Sequence, residues 1–171
     1  MSGRIGSGAR GGTVRFQAPL LDRLIDLAPD QTRDPPSSAG DSLIALRNAV
    51  RRDLEALLNA RRCWRSWPDS LKELAVSPIG FGVPDFSSGA FSDARQREEL
   101  RLEIEDTIRR FEPRFLTVTV ALAQAVTPLE STLRLRIDAL LHAEPAPEPM
   151  TFDTLVDPSN DEVIVVARDA V

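Results

Sequence analysis

The chain holds a single cysteine, Cys63, and a single histidine, His142, in 171 residues. An intrachain disulfide framework is therefore excluded, and a structural zinc site of cysteine and histidine lacks the ligands that tetrahedral coordination takes. A reducing compartment is the expectation. No apolar run approaches the roughly 18 to 20 residues that cross a bilayer, and Met1 to Gln17 are rich in glycine and arginine, without the apolar stretch of a secretory leader. These absences predict a cytoplasmic protein with no direct membrane insertion. Basic residues are outnumbered, 21 against 26 acidic, for a net charge of −5, the wrong sign for a protein that coats nucleic-acid phosphates. No glycine-rich loop ends in Gly-Lys-Ser/Thr, and Gly80-Phe81-Gly82 lacks the third glycine and the strand-to-helix setting of a dinucleotide fingerprint. Neither nucleic acid, nor a metal, nor a cofactor is expected.

A hydrophobic fraction of 42% is enough for one core, and the length suits one domain. Residues 1–17, with Gly3, Gly6, Gly8, Gly11 and Gly12, read as a flexible tail. In residues 18–27, Pro19 suits a first helical position and Leu20, Leu24 and Leu27 share a face, which predicts a short docking helix. Pro29, Pro35 and Pro36 among Asp, Thr and Ser mark residues 28–40 as a linker. Asp41 or Ser42 then caps a helix whose Leu43, Leu46, Val50, Leu54 and Leu57 form one apolar stripe, running to about Trp64. Pro68 opens a turn that gives a short helix through Leu71, Leu74 and Val76, and residues 77–86 read as an ordered loop. A second long helix starts near Ser92 or Asp93 and gathers Leu100, Ile104, Ile108 and Phe111 in one sector, with Glu105–Arg109 and Asp106–Arg110 paired outside it.

After Pro113 the period changes from 3.6 to 2. Residues 115–123 and the alternating Leu133, Leu135, Ile137, Ala139 and Leu141 predict two half-buried strands. Pro145, Pro147 and Pro149 predict an extended connection, followed by strands at 152–156 and 162–168 around a turn at 157–161. The predicted class is α+β: an antiparallel sheet in the C-terminal half packed against two main helices, in a single domain over residues 41–171.

Several residues invite a chemical reading. Arg51, Arg52, Arg61, Arg62 and Arg65 around Trp64 and Trp67 have the interleaving that stacks bases, but in an acidic chain they read as a solvated helix face or a protein contact. Cys63 reads as a small buried hydrophobe and His142 as a solvated residue. The informative motif is Phe111-Glu112-Pro113-Arg114. Pro113 disfavours helix at Glu112, so Glu112 and Arg114 flank a fixed corner where they can pair with each other or with other partners. As a glycosidase, Glu112 would be an acid/base carboxylate requiring a second one about 5 to 9.5 Å away. Asp85, Asp138 and Glu105 are nominal candidates, and spacing selects none of them.

Taken in order, Leu20-Leu21-Asp22-Arg23-Leu24, the run from Arg51 to Arg62, Gly82-Val83-Pro84-Asp85-Phe86 and Ile108 to Arg114 resemble the TssE family. These are type VI secretion baseplate subunits related to the phage baseplate wedge proteins often labelled lysozyme-like. The resemblance implies a non-enzymatic structural role despite that label, with TssF, TssG and TssK as baseplate partners and a contractile sheath of TssB and TssC above. It also implies that Glu112, Pro113 and Arg114 make assembly contacts. Independently, a late strand such as 162–168 would offer an edge whose backbone groups can pair with an incoming extended arm, nucleating the sheath.

Overall fold

Strands that alternate apolar and polar residues bury one face and leave the other wet, and the C-terminal half does this four times. The computed structural model describes residues 19–25, 29–31, 38–63, 66–68, 70–85, 93–123, 133–143, 146–157 and 162–168. The expected tail over 1–17, most of the linker over 28–40 and the turn after residue 157 lie outside them. Strands β1 (Phe115–Leu122), β2 (Leu133–Leu141), β3 (Glu148–Asp157) and β4 (Glu162–Arg168) form one antiparallel sheet in the order β1-β2-β3-β4. In β2, Leu133, Leu135, Ile137, Ala139 and Leu141 are all buried, while Arg134, Arg136 and Asp138 face out. Ile137 lies opposite Val120 on one side and Phe152 on the other, which makes the middle of the sheet the middle of the core.

The third strand begins at Glu148, earlier than the expected Phe152. Pro149 is tolerated because β4 stops pairing at Thr151–Arg168, so the missing N–H falls beyond the end of that ladder. As expected, the helices precede the sheet and cover one of its faces. Helix α2 (Ala39–Asn59) packs on β4, and a later helix, α4 (Ala94–Phe111), packs on β1. The start of α2 lies earlier than Asp41. Ser38 is its N-cap, with the Asp41 N–H donating to Ser38 Oγ and the Ser38 N–H donating to the Asp41 carboxylate, a reciprocal pair that satisfies two orphan donors. Asp93 caps α4 as expected, accepting from the Arg95 N–H.

Helix α2 ends at Asn59, well before Trp64. Ala60 turns extended because its carbonyl accepts the Val83 N–H at 3.0 Å while the Arg62 N–H donates to the Val83 carbonyl at 2.9 Å. Cys63 is consequently exposed, not buried. Between the long helices lie the short α3 (Lys72–Ala75), where a short helix is expected, and a 3₁₀ turn at Pro78–Gly80 within the expected loop. The short α1 (Leu20–Leu24) buries none of its residues.

The Gly82-Val83 dipeptide has a clear physical requirement. Val83 is buried in the core, and reaching it puts Gly82 at φ +99° with no room for a side chain: a Cβ there would sit 2.3 Å from the Ala60 carbonyl oxygen. Gly82→Ala is expected to cost at least ~2 kcal/mol, through left-handed strain and the broken Ala60–Val83 bridge. Urea denaturation should show a lower midpoint at unchanged slope.

Candidate functional site

At the end of α4, Pro113 excludes helical backbone at Glu112, which adopts φ −115° and ψ 79° while its N–H still donates to Ile108. The turn sends the Glu112 side chain inward, where the residue is 5% exposed. Its carboxylate accepts Arg114 Nε at 2.6 Å, the Arg114 backbone N–H at 3.3 Å, and Arg114 Nη2. Arg114 Nη2 also reaches Asp53 Oδ2 on α2 at 2.9 Å. The His142 N–H donates to the Arg114 carbonyl at 2.8 Å, joining the end of β2 to the same point, while His142 itself is exposed as expected. One arginine thus bolts the α4–β1 corner to α2. Burial works against its charge, but the bonds to Glu112 and then Asp53 outweigh it and hold the guanidinium pKa above the ordinary value.

The carboxylate beside Glu112 is therefore Asp53, which shares the same arginine, and none of the three nominal candidates. Asp138 accepts from Thr151 on the outer sheet face at 2.8 Å, Glu105 serves the edge of β1, and Asp85 is exposed past Val83. Asp53 was legible only as one charge in a helical run.

Around the corner, Pro19, Ala56, Leu57, Phe81, Phe111 and Pro113 line an open surface depression beside Asp53 and Arg114. Phe81 meets Phe111 edge-on with centroids 5.3 Å apart, which fixes the depression's wall. Alongside, Arg52 joins Asp22 of α1 at 2.7 Å and Asp53 at 2.9 Å. That tie leaves Leu20 and Leu24 at 70% and 74% exposure. Three arginines of the cluster are spent on carboxylates, Arg51 on Glu55, Arg52 on Asp22 and Asp53, and Arg62 on Glu103, while Arg61 donates to the Leu58 carbonyl. Trp64 and Arg65 lie outside the described residues. Among the described residues no group of His, Cys, Asp and Glu could hold a metal ion, and no helix is long and apolar enough to cross a membrane.

Both outer strands are edges, and side chains of the covering helices occupy part of each. On β1 the Val120 carbonyl accepts Arg101 Nη1 at 2.8 Å, the Val120 N–H donates to Glu105 Oε2 at 3.1 Å, and the Val118 carbonyl accepts Arg109 Nη2 at 3.4 Å. On β4 the Val163 N–H and carbonyl bond Asn59 at 2.9 and 2.8 Å, while the Val165 N–H and carbonyl meet Glu55 and Arg51 at 3.3 and 3.4 Å. Each helix thus carries a polar row at spacing of four beside its apolar stripe. Strand 162–168 is thus an outer strand, as expected, with its outward groups at Val163 and Val165 already bonded by side chains of α2. The pattern was present in the sequence, but only packing shows that those rows face strand edges.

The molecule these features define is a small scaffold whose helices, corner and sheet edges are tied together by arginine–carboxylate contacts. A family model described as "Baseplate wedge protein gp25" matches residues 44–146, more than half of the chain, and the protein belongs to this family of phage baseplate wedge-type structural proteins, which assemble with other baseplate subunits. The matched residues hold most of α2, the loop, α4, β1 and β2, whereas β3 and β4 lie beyond them. Neither curated proteins nor solved structures give a match.

Two outcomes follow from the charge network. Glu112→Gln removes the charge that Arg114 clasps and should cost about 1.5 to 3 kcal/mol, the range for hydrogen bonds to charged groups, read as a lower urea midpoint at pH 7. Burial pushes the pKa of Glu105 up, but the Val120 N–H, Arg109 and Arg101 together hold it below the ordinary carboxylate value. A depressed carboxylate contributes stability that is fully present above its unfolded pKa and is lost as pH falls through the folded one. Glu105→Gln should accordingly flatten the stability profile below about pH 4.5, while wild type keeps losing stability there; parallel acid profiles would contradict this.

Proposed function

We propose that this protein is a TssE-type baseplate subunit of a cytoplasmic type VI secretion apparatus. It is a scaffold that assembles with TssF, TssG and TssK and anchors the TssB–TssC sheath as it starts to polymerise. The observation that carries the reading is the rigid corner at Glu112-Pro113-Arg114 beside an open apolar depression. Glu112 positions the corner from inside, and Pro113 and Arg114 form its rim. A docking helix or loop would meet a preformed surface, which lowers the ordering cost of assembly. Leu20 and Leu24 add an apolar contact on the neighbouring α1. The sheath would be anchored by an extended arm pairing along β4.

What favours a scaffold over a glycosidase is that both Glu112 oxygens are taken by Arg114, and the carboxylate that shares that arginine, Asp53, is neutralised by the same group. Hydrolysis requires one carboxyl free to give a proton and another free to act on the sugar or on water.

Ala56 is exposed on α2 and lines the depression without a side-chain hydrogen bond. Ala56→Arg should leave the melting temperature within about 2 °C, as for surface changes below ~0.5 kcal/mol, and should abolish co-purification with TssF and TssG. Unchanged co-purification of a folded variant would remove the corner from the assembly surface. Peptidoglycan turnover that disappears in Glu112→Gln would replace the scaffold reading with an enzyme.

A further inference from the structure

The two sheet edges are closed by the same device but not equally. On β1, Arg101 is held by both Glu98 and Glu105 at 2.8 Å, and Glu105 is held in turn by Arg109 at 2.8 Å. The Arg101 and Glu105 side chains are only 16% and 17% exposed. On β4, Glu55 has Arg51 as its ion-pair partner, the two are 31% and 35% exposed, and both contacts to Val165 are long. Only Asn59 holds Val163 at close range.

Backbone groups on a strand alternate sides, so the next outward N–H and carbonyl after Val163 and Val165 belong to Ala167. Among the described residues no side chain bonds them. Instead a small open cavity lies there, lined by Ile44, Arg47, Asn48 and Ala167 among others.

We propose that Arg51, Glu55 and Asn59 form a displaceable latch on the β4 edge. An extended segment of a partner begins pairing at Ala167, replaces Arg51 and Glu55 at Val165, and last replaces Asn59 at Val163, while the β1 edge stays shut. This rests on the reading of β4 as the edge that receives the sheath arm. Each displaced side chain exchanges a backbone bond for solvent, and each backbone group gains a strand partner, so no buried group is left unsatisfied at any step. Until a partner arrives, the latch keeps copies of the protein from pairing edge to edge.

The test uses the full-length protein and the double variant Glu55→Ala/Asn59→Ala. Amide hydrogen exchange of the free proteins should show Val163 and Val165 exchanging at least ~10-fold faster in the variant, with Val120 unchanged. The variant should also capture a purified TssB–TssC pair several-fold faster than wild type, and adding Val165→Pro should cancel that gain. Equal protection of Val163 and Val165 in variant and wild type overturns the latch, as does faster exchange with an unchanged capture rate. Should neither form bind the sheath pair, the anchoring reading fails, and sedimentation decides the latch alone. Concentration-dependent self-association of the variant that wild type lacks supports the latch, and a monomeric variant overturns it. If the double variant does not fold by circular dichroism, Asn59→Ala carries the same readouts.

Discussion

An open four-stranded sheet has two outer strands whose backbone groups must find partners, and that constraint organises this molecule. Each covering helix performs two tasks at once. It buries an apolar stripe against the sheet face, Val50, Leu54 and Leu58 from α2 and Leu100, Ile104 and Ile108 from α4. It also lays a polar row along an edge. Because stripe and row are neighbouring sectors of one helix, the helix can neither roll nor slide without losing one of them. The middle of each edge is thereby covered without further strands, by side chains that charge it against unwanted pairing.

The corner at Pro113 is where the two helix–edge systems are joined. Arg114 follows the helix by three residues, yet it reaches back to Glu112 and across to Asp53. Its buried partner would be costly to leave alone, so the corner keeps one geometry. That rigidity is what a docking surface requires, and it gives the motif a physical role inside the molecule as well as on its rim. The family match places this corner, with most of the helices and two strands, in the shared part of a baseplate wedge protein.

Much of the architecture was legible from periodicity. The four strands, their alternation and the cap of α4 at Asp93 follow from local pattern, as do the Glu105–Arg109 and Asp106–Arg110 pairs. Boundaries set by distant contacts were not. The end of α2 depends on Val83 claiming the Ala60 carbonyl, and the early start of β3 depends on where β4 stops. Cys63 reads as an apolar core residue, but the chain leaves the helix before it.

By itself the sequence determined the class of fold, since hydrophobic spacing sets which elements form and which faces they bury. It also determined that Glu112, Pro113 and Arg114 make a fixed corner, because proline acts on its own neighbours. Only the tertiary structure decided where the polar rows of α2 and α4 go, that Asp53 is the third member of the corner, and that the β4 edge is occupied at Val163 and Val165. Those contacts join residues far apart in the chain, such as Asn59 with Val163 and Asp53 with Arg114. A helix with charges at every fourth position looks the same in sequence whether that row faces water or the rim of a sheet.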